Sequence, residues 1–456
     1  MPPRTLVLLA AIICTGAFAD PLDNAVLQEM KREHIPGVSV VVVQNGRIVK
    51  EKGYGLANVE LSVPVTPETT FQSGSIGKMF TAALVMLLVE DGKLKLDDPI
   101  SRHLANTPKA WEGITIRHLL THTSGLGDPY EVLDFRKDYS DEELVALEAG
   151  IPVLFAPGER WAYSNMGYHL LGFICNKAGG AFYGDQLHER IFKPLGMGTR
   201  IISESDIVPH RAAGYEWVKG QLKNQSWVSP KLNTTADGSL YLTAHDLALW
   251  DMALDRKTIL TEKIRTASWT PVTLNDGSTA PYGYGWELKP VNGHRTISHG
   301  GAWQGFRTAI ERYVDDRLTV IVLANSAAAR PAKLANLVAR HYVPALEIPL
   351  AKAIPDGEPD VAATLRAAVG QMAKGSVPSG VLSDKAAAVF SPQRVLSLSE
   401  RMADLGTLRS VELLERKADG DQRVYLYRFI YPDERLLIGV TFDQAGKIDK
   451  LSFRPE

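Results

Sequence analysis

Apolar positions along the chain change their period several times, and each change predicts an element. Between Leu22 and His34 they recur at the spacing of an amphipathic helix. Gly37 to Val43 and Arg47 to Tyr54 are rich in β-branched residues. They are joined through Asn45-Gly46, a dipeptide that accepts the positive φ of a tight turn, and so predict a hairpin. Met79 to Val89 is apolar on almost every side, which predicts a helix buried all round. Ser140-Asp141-Glu142-Glu143 has capping-box spacing and opens a short helix. A second apolar helix is expected from about Met166 to Ala178, closed by Gly179-Gly180. Gly283 to Lys289, Arg295 to His299, Gly305 to Tyr313 and Leu318 to Ala324 read as successive strands, with Asp315-Asp316 turning the last pair. Strands, a long helical insert, strands again and a terminal helix describe an α/β sheet that shares a cleft with a helical region.

Periodicity fades where Pro344, Pro349, Pro355 and Pro359 crowd together, the signature of a linker. We place a first domain at residues 20–345, the linker at 346–360 and a second domain at 361–456. In the second, helices are expected at about Val361 to Ala373 and Ser391 to Leu405. Strands follow at Ser410 to Arg416, Gln422 to Tyr431, Arg435 to Phe442 and Ile448 to Arg454. That order makes a small α+β domain. Its closing segments, Phe442 to Ile448 and Leu451-Ser452-Phe453, faintly resemble the last hairpin of cone-shaped domains of the NTF2-like kind, which hold small ligands or mediate dimerisation.

The first 19 residues stand apart. Arg4, the apolar run Leu6 to Ile13 and the small residues of Ala17-Phe18-Ala19 have the order of a secretory leader cut after Ala19. The run is too short to span ~30 Å of hydrocarbon, and Ile13 is too bulky to precede a lipidated Cys14. We expect a secreted or periplasmic protein, with no transmembrane segment once the leader is gone. Loss of Cys14 leaves Cys175 alone, hence no internal disulfide.

Composition changes this picture little. The 456 residues are 45% hydrophobic and 22% charged, and 50 Lys+Arg against 52 Asp+Glu give a net charge of −2. Nothing pulls the chain toward nucleic acid. No His, Cys, Asp or Glu cluster has metal-ligand spacing and no Gly-rich loop fits a nucleotide, so no metal and no cofactor are expected. Oligomeric state is left open.

Chemistry is concentrated in three short segments. Ser75-Ile76-Gly77-Lys78 directly precedes the buried helix, where residues i and i+3 share a face and the Lys78 amine reaches the Ser75 hydroxyl. Serine becomes a nucleophile only when a neighbouring base takes its proton, and a lysine serves if burial and nearby cations lower its pKa. Tyr163-Ser164-Asn165 lies on a loop before the next helix, and supplies a phenol for proton relay and an amide to hold a lysine or a substrate carbonyl. His299-Gly300-Gly301-Ala302 ends a strand, and its glycines allow close approach along the strand edge. Taken singly, each has an ordinary structural explanation: a capping serine, a packed tyrosine, a tight hairpin.

In this order and with these separations the three segments resemble the serine β-lactamase and penicillin-binding-protein superfamily, in particular its class C-like branch of D-peptidases, D-Ala-D-Ala carboxypeptidases and family VIII esterases. Gly53 to Ala57, Ile114 to Leu126, Pro157 to Gly167 and His299 to Phe306 extend the likeness over residues 22 to 345. The resemblance implies the transpeptidase-like α+β sandwich, an antiparallel sheet with a helical region. It implies Ser75 as acyl acceptor, with Lys78 and Tyr163 as its catalytic partners. Asn165, His299, Gly300, Gly301, Trp303 and Gln304 would contact substrate, and the backbone N–H groups of Ser75 and Ala302 would form the oxyanion hole. β-Lactamases usually carry Lys-Thr-Gly where this chain has His299-Gly300-Gly301. The missing hydroxyl and an only partly charged histidine point away from efficient β-lactam chemistry. We therefore expect a hydrolase of small esters, peptides or amides, with a β-lactamase, a D-Ala-D-Ala carboxypeptidase or a non-catalytic penicillin-binding sensor as alternatives. His122 is read as fixing its loop, His210 and His294 as surface residues, Asp237-Gly238 as a turn near the cleft, and Tyr54 and Trp161 as core.

Overall fold

In a computed structural model, residues 20–201, 206–347, 349–402, 405–420, 422–432 and 434–456 are described. The leader expected over residues 1–19 lies outside them, as do residue 348 of the linker, residues 403 and 404 of the last predicted helix and Asp433 of a predicted turn. The chain divides into two compact units, Met1–Glu347 and Ile348–Glu456.

In the first unit helix α1 (Pro21–Arg32) leads into strands β1 (Gly37–Gln44), β2 (Arg47–Asn58) and β3 (Val63–Pro64). The helical region includes α2 (Gly77–Glu90), α3 (Asp141–Glu148), α4 (Asn165–Gly179) and α5 (Ala244–Arg256). The chain then returns as β4 (Thr296–Trp303), β5 (Phe306–Tyr313), β6 (Leu318–Ala324) and helix α6 (Pro331–Tyr342). The six strands form one sheet in the order β4-β5-β6-β1-β2-β3, each pair antiparallel. Returning strands thus slot beside β1, and the edge is left to β4.

The continuous apolar run of β1 follows from its central place. Val38, Val40 and Val42 pack with Val26 and Met30 of α1 and Leu334 and Val338 of α6. Val41 and Val43 face the opposite side and join the core around α2. A strand covered on both faces has no reason to alternate. The hairpin holds Asn45 at φ 50° and Gly46 at φ 73°, as a two-residue turn of this type demands. Helix α2 is buried from Gly77 through Leu88, in keeping with its lack of a polar face.

Two expectations fail. Gly283 to Lys289 is not a strand; Tyr282 and Glu287 make isolated bridges instead. The break comes at Gly285, whose φ is +75° and where a Cβ would stand 2.8 Å from Met79 Cα, so the segment bends to let α2 pass. Trp161 is 36% exposed rather than core, its ring edge-on to His122 at 6.2 Å. Tyr54 is buried as expected.

The second unit carries α7 (Pro359–Met372), α8 (Asp384–Val389) and α9 (Pro392–Met402), then β7 (Ser410–Asp419), β8 (Gln422–Ile430), β9 (Arg435–Phe442) and β10 (Ile448–Pro455), an antiparallel meander in sequence order. Leu365, Val369 and Met372 of α7 and Val395 of α9 pack on Tyr427, Phe429 and Ile438 of the sheet.

One buried carboxyl in the first sheet sets a pH dependence. Glu311 of β5 lies opposite Ser298, and burial, reinforced by Glu287, pushes its pKa up to about 8. Folded protein therefore keeps a proton that the unfolded chain releases near pH 4.5. Between pH 4.5 and 8 this group lowers stability by about 1.4 kcal/mol for each pH unit, and above 8 the penalty is complete. Glu311→Gln should leave thermal stability at pH 4 unchanged and raise it progressively toward pH 8, in calorimetric scans of both proteins across that range.

Candidate active site

Ser75 sits in the short turn Gly74–Ile76 that feeds directly into α2. Gly74 has φ +53°, and a Cβ on it would lie 2.5 Å from the Ala302 amide nitrogen, so β4 presses straight against the turn. The serine stays half-exposed while Lys78, one helical turn later, is fully buried.

Lys78 Nζ is held by three acceptors: Ser75 Oγ at 3.1 Å, Asn165 Oδ1 at 2.8 Å and the Asp237 main-chain oxygen at 2.7 Å. Burial draws its pKa down to about 8, and the carboxylates of Asp237 and Asp128 keep it from falling further. A neutral amine has two N–H bonds and one lone pair. Asn165 and the Asp237 carbonyl take the two N–H bonds, which leaves the lone pair directed at Ser75.

The Asp237 carbonyl owes its position to side chains near the nucleophile. Thr81 Oγ1 donates to Ala236 O at 2.7 Å, Ser73 Oγ donates to Gly238 O at 3.1 Å, and Leu240 N–H donates back to Ser73 Oγ. Asn165 opens α4 behind its N-cap Ser164, and its Nδ2 donates to Asp128 Oδ2 at 3.2 Å.

Tyr163 places its ring 5.0 Å from Lys78 Nζ. Its hydroxyl is buried and has no partner in hydrogen-bonding geometry among the described residues. A buried hydroxyl left unpaired is costly and calls for a functional explanation. Burial holds the phenol well above its ordinary pKa, with the neighbouring Ser75 acting in the opposite direction. Amine and phenol are thus shifted in opposite senses: Lys78 toward giving up its proton, Tyr163 toward keeping one.

Edge strand β4 completes the site. Glu287 N–H donates to Ser298 O at 2.8 Å and Ser298 N–H donates to Glu287 O at 3.0 Å, so the main-chain polar groups of Ser298 point away from β5. With a period of two, Gly300 and Ala302 face outward as well, and both are exposed. The Ala302 N–H therefore points out of the sheet beside Ser75. Gly301 turns inward, where a Cβ would meet Ser73 O at 2.0 Å and Thr308 Oγ1 at 2.1 Å, and only glycine fits. Trp303 is half-buried against Tyr130 and Phe135 and donates from Nε1 to Asn233 Oδ1 at 2.8 Å. Gln304 lies half-buried in the hairpin turn that follows.

His299 is buried and, with a pKa drawn down to about 4 by burial and Lys78, neutral rather than partly charged. Its Nδ1 donates to Gly300 O, so its bare Nε2 accepts from the Tyr282 hydroxyl at 3.0 Å. Both ring nitrogens are satisfied within the protein.

Several site residues escaped the sequence. His169, on α4, sits between Glu148 Oε1 (2.6 Å from Nδ1) and Asp237 Oδ1 (3.1 Å from Nε2). Burial opposes its charge, yet the two carboxylates raise it to about 10, so it stands as an imidazolium behind Lys78. Asp237 is in turn held far below the usual carboxylate range, against its own burial, chiefly by His169. Tyr130 donates to Asp237 Oδ2 at 2.7 Å. The i, i+4 spacing of Asn165 and His169 on one helix face was the signal that could have found this histidine. The main-chain role of Asp237 left no such signal. Among the described residues no group of His, Cys, Asp and Glu could hold a metal ion, and no helix is long and apolar enough to cross a membrane.

Residues 22–343 match the family model described as Beta-lactamase. The chain is 32% identical over 322 residues to penicillin-binding protein 4* of Bacillus subtilis, covering 66% of this chain and 71% of that one. It is 29% identical over 335 residues to a D-aminopeptidase of Gluconobacter oxydans, covering 71% of this chain but only 62% of the relative, less than two thirds of its length. Among solved structures, the octameric penicillin-binding protein homologue from Pyrococcus abyssi superposes with a TM-score of 0.65 at 25% identity, over 95% of this chain and 98% of that one.

Proposed function

Because this chain belongs to the β-lactamase family and is a serine hydrolase of its penicillin-binding-protein kind, we propose that it cleaves amide, peptide or ester bonds through an acyl-enzyme on Ser75. The observation that carries this reading is the Lys78 amine, buried, lowered in pKa and left with its lone pair toward Ser75 Oγ. Lys78 takes the serine proton as Oγ attacks the substrate carbonyl, and the oxyanion forms against the N–H groups of Ser75 and Ala302. Tyr163 gives its proton to the departing amine or alkoxide and is reprotonated from Lys78. In the second half a water attacks the acyl carbonyl, passes its proton to the same pair, and Ser75 leaves as the alcohol. Asn165 holds both Lys78 and the substrate. Export after cleavage at Ala19 belongs to the same proposal.

Substrate amides and short peptides with a D-configured residue fit the D-aminopeptidase relative, and the exposed Asp128 carboxylate beside Asn165 offers a counter-ion to a substrate ammonium. β-Lactam hydrolysis fits less well, since a neutral, buried His299 cannot pair with the β-lactam carboxylate.

Intact-mass measurement after treatment with a fluorophosphonate should show one adduct, on the peptide that contains Ser75. The same preparation should turn over p-nitrophenyl acetate and D-aminoacyl p-nitroanilides, and nitrocefin slowly at best. Stable acylation with no turnover of any of the three would overturn the hydrolase reading and leave a sensor.

A further inference from the structure

Among the described residues His122 makes no hydrogen bond to Ser75 or Lys78, yet it is built into the loop that carries Tyr163 from two directions. Its main-chain oxygen accepts from Ala162 N–H at 2.9 Å. Its Nδ1 accepts from Ser164 N–H at 3.2 Å. The residues on both sides of Tyr163 are therefore fastened to one residue. Between those two bonds the imidazole lies on the Tyr163 ring, with centroids 4.2 Å apart and planes 36° apart. The backbone of His122 is itself unusual, at φ +57°, a conformation that costs most side chains energy and persists where the surroundings require it.

We infer that His122 is a positioning residue for Tyr163, which its main chain and ring together hold at the angle that keeps the phenol beside Ser75. The inference rests on Tyr163 as the proton relay of the proposed mechanism. Two features support a dedicated role over ordinary packing. Because Nδ1 accepts a hydrogen bond, the neutral ring must carry its proton on Nε2, and that nitrogen is buried without a partner. A side chain present only to fill space would not leave a polar hydrogen unpaired. Burial first, then Lys78 and His299, hold the ring uncharged, and the phenol rings of Tyr163, Tyr168 and Tyr282 line it. A protonated His122 would lose the acceptor that holds Ser164.

Three substitutions separate clamp from filler. Asparagine offers an acceptor where Nδ1 stands and tolerates positive φ; glutamine carries its carbonyl one methylene too far; leucine has none. With p-nitrophenyl acetate, His122→Leu should lower kcat about 10²-fold and His122→Gln nearly as much, with KM little changed, the scale of a misplaced catalytic group. His122→Asn should recover to within about tenfold of the parent, and the loss in His122→Leu should largely vanish when Tyr163 is already phenylalanine, since groups acting as a unit are not additive. Equal losses in all three variants, no loss in His122→Leu, or a loss that adds in full to Tyr163→Phe would overturn the clamp. If the leucine variant does not fold, asparagine against glutamine decides the question. An unchanged kcat in Tyr163→Phe would instead remove the relay on which the clamp depends.

Discussion

Replacing Ser75 by alanine should lower kcat/KM for an activated ester by about 10⁵-fold or more, while KM and the folded state change little. The expectation follows from what is left behind. The Ala302 and residue-75 N–H groups, Asn165 and the edge strand would still bind and polarise a carbonyl, and comparable sites stripped of a nucleophile retain ~10³–10⁴-fold over water. Only the covalent route disappears. Thermal stability should be preserved or slightly raised, because the removed hydroxyl is half-exposed and Lys78 keeps Asn165 Oδ1 and the Asp237 carbonyl as acceptors. Steady-state kinetics, a calorimetric scan and the absence of the fluorophosphonate adduct check this together. Turnover within tenfold of the parent would move the nucleophile away from Ser75.

Loss of the Lys78 amine should be nearly as severe, and more informative about mechanism. Lys78→Arg keeps a cation under Ser75 but cannot give up its proton near neutral pH. If Lys78 acts as base, arginine should cost ~10²–10⁴-fold in kcat/KM. If the lysine serves only as a fixed charge, arginine should be tolerated. The pH profile adds a second criterion. The base must be unprotonated, so activity of the parent should rise with pH through an apparent pKa near 8, set by the burial of Lys78. Tyr163 cannot supply that limb, since burial drives its titration upward from the ordinary phenol range. The rising limb should be absent from Lys78→Arg over pH 6 to 9. A limb that survives unchanged would assign the base to another group.

Much of this molecule is legible in its amino-acid sequence. The valine run of β1 announced a strand covered on both faces, Asn45-Gly46 announced its hairpin, and the apolar stretch after Lys78 announced a helix without a polar side. These signals are local: backbone conformation and burial leave their mark on consecutive residues. Gly283 to Lys289 shows the limit of that reading. Its aromatic and β-compatible residues look like a strand, but the close passage of α2 at Met79 forces Gly285 to positive φ and breaks the ladder. Nothing within seven residues records a neighbour that lies two hundred residues away.

The same division runs through the site. The order of residues sets which side chains are available and where the three segments stand, because serine, lysine, tyrosine and asparagine carry their chemistry in their side chains. Their charge states and angles come from the folded arrangement. The third hydrogen bond to Lys78 comes from the main chain of Asp237, and any residue can present a carbonyl. His169 is charged because Glu148 and Asp237 converge on it, and His299 is neutral because Lys78 and a dry surrounding converge there. Two histidines, identical as letters, differ by the sign of what is packed against them. Protonation depends on neighbours brought together in space, and a linear order of residues does not contain them.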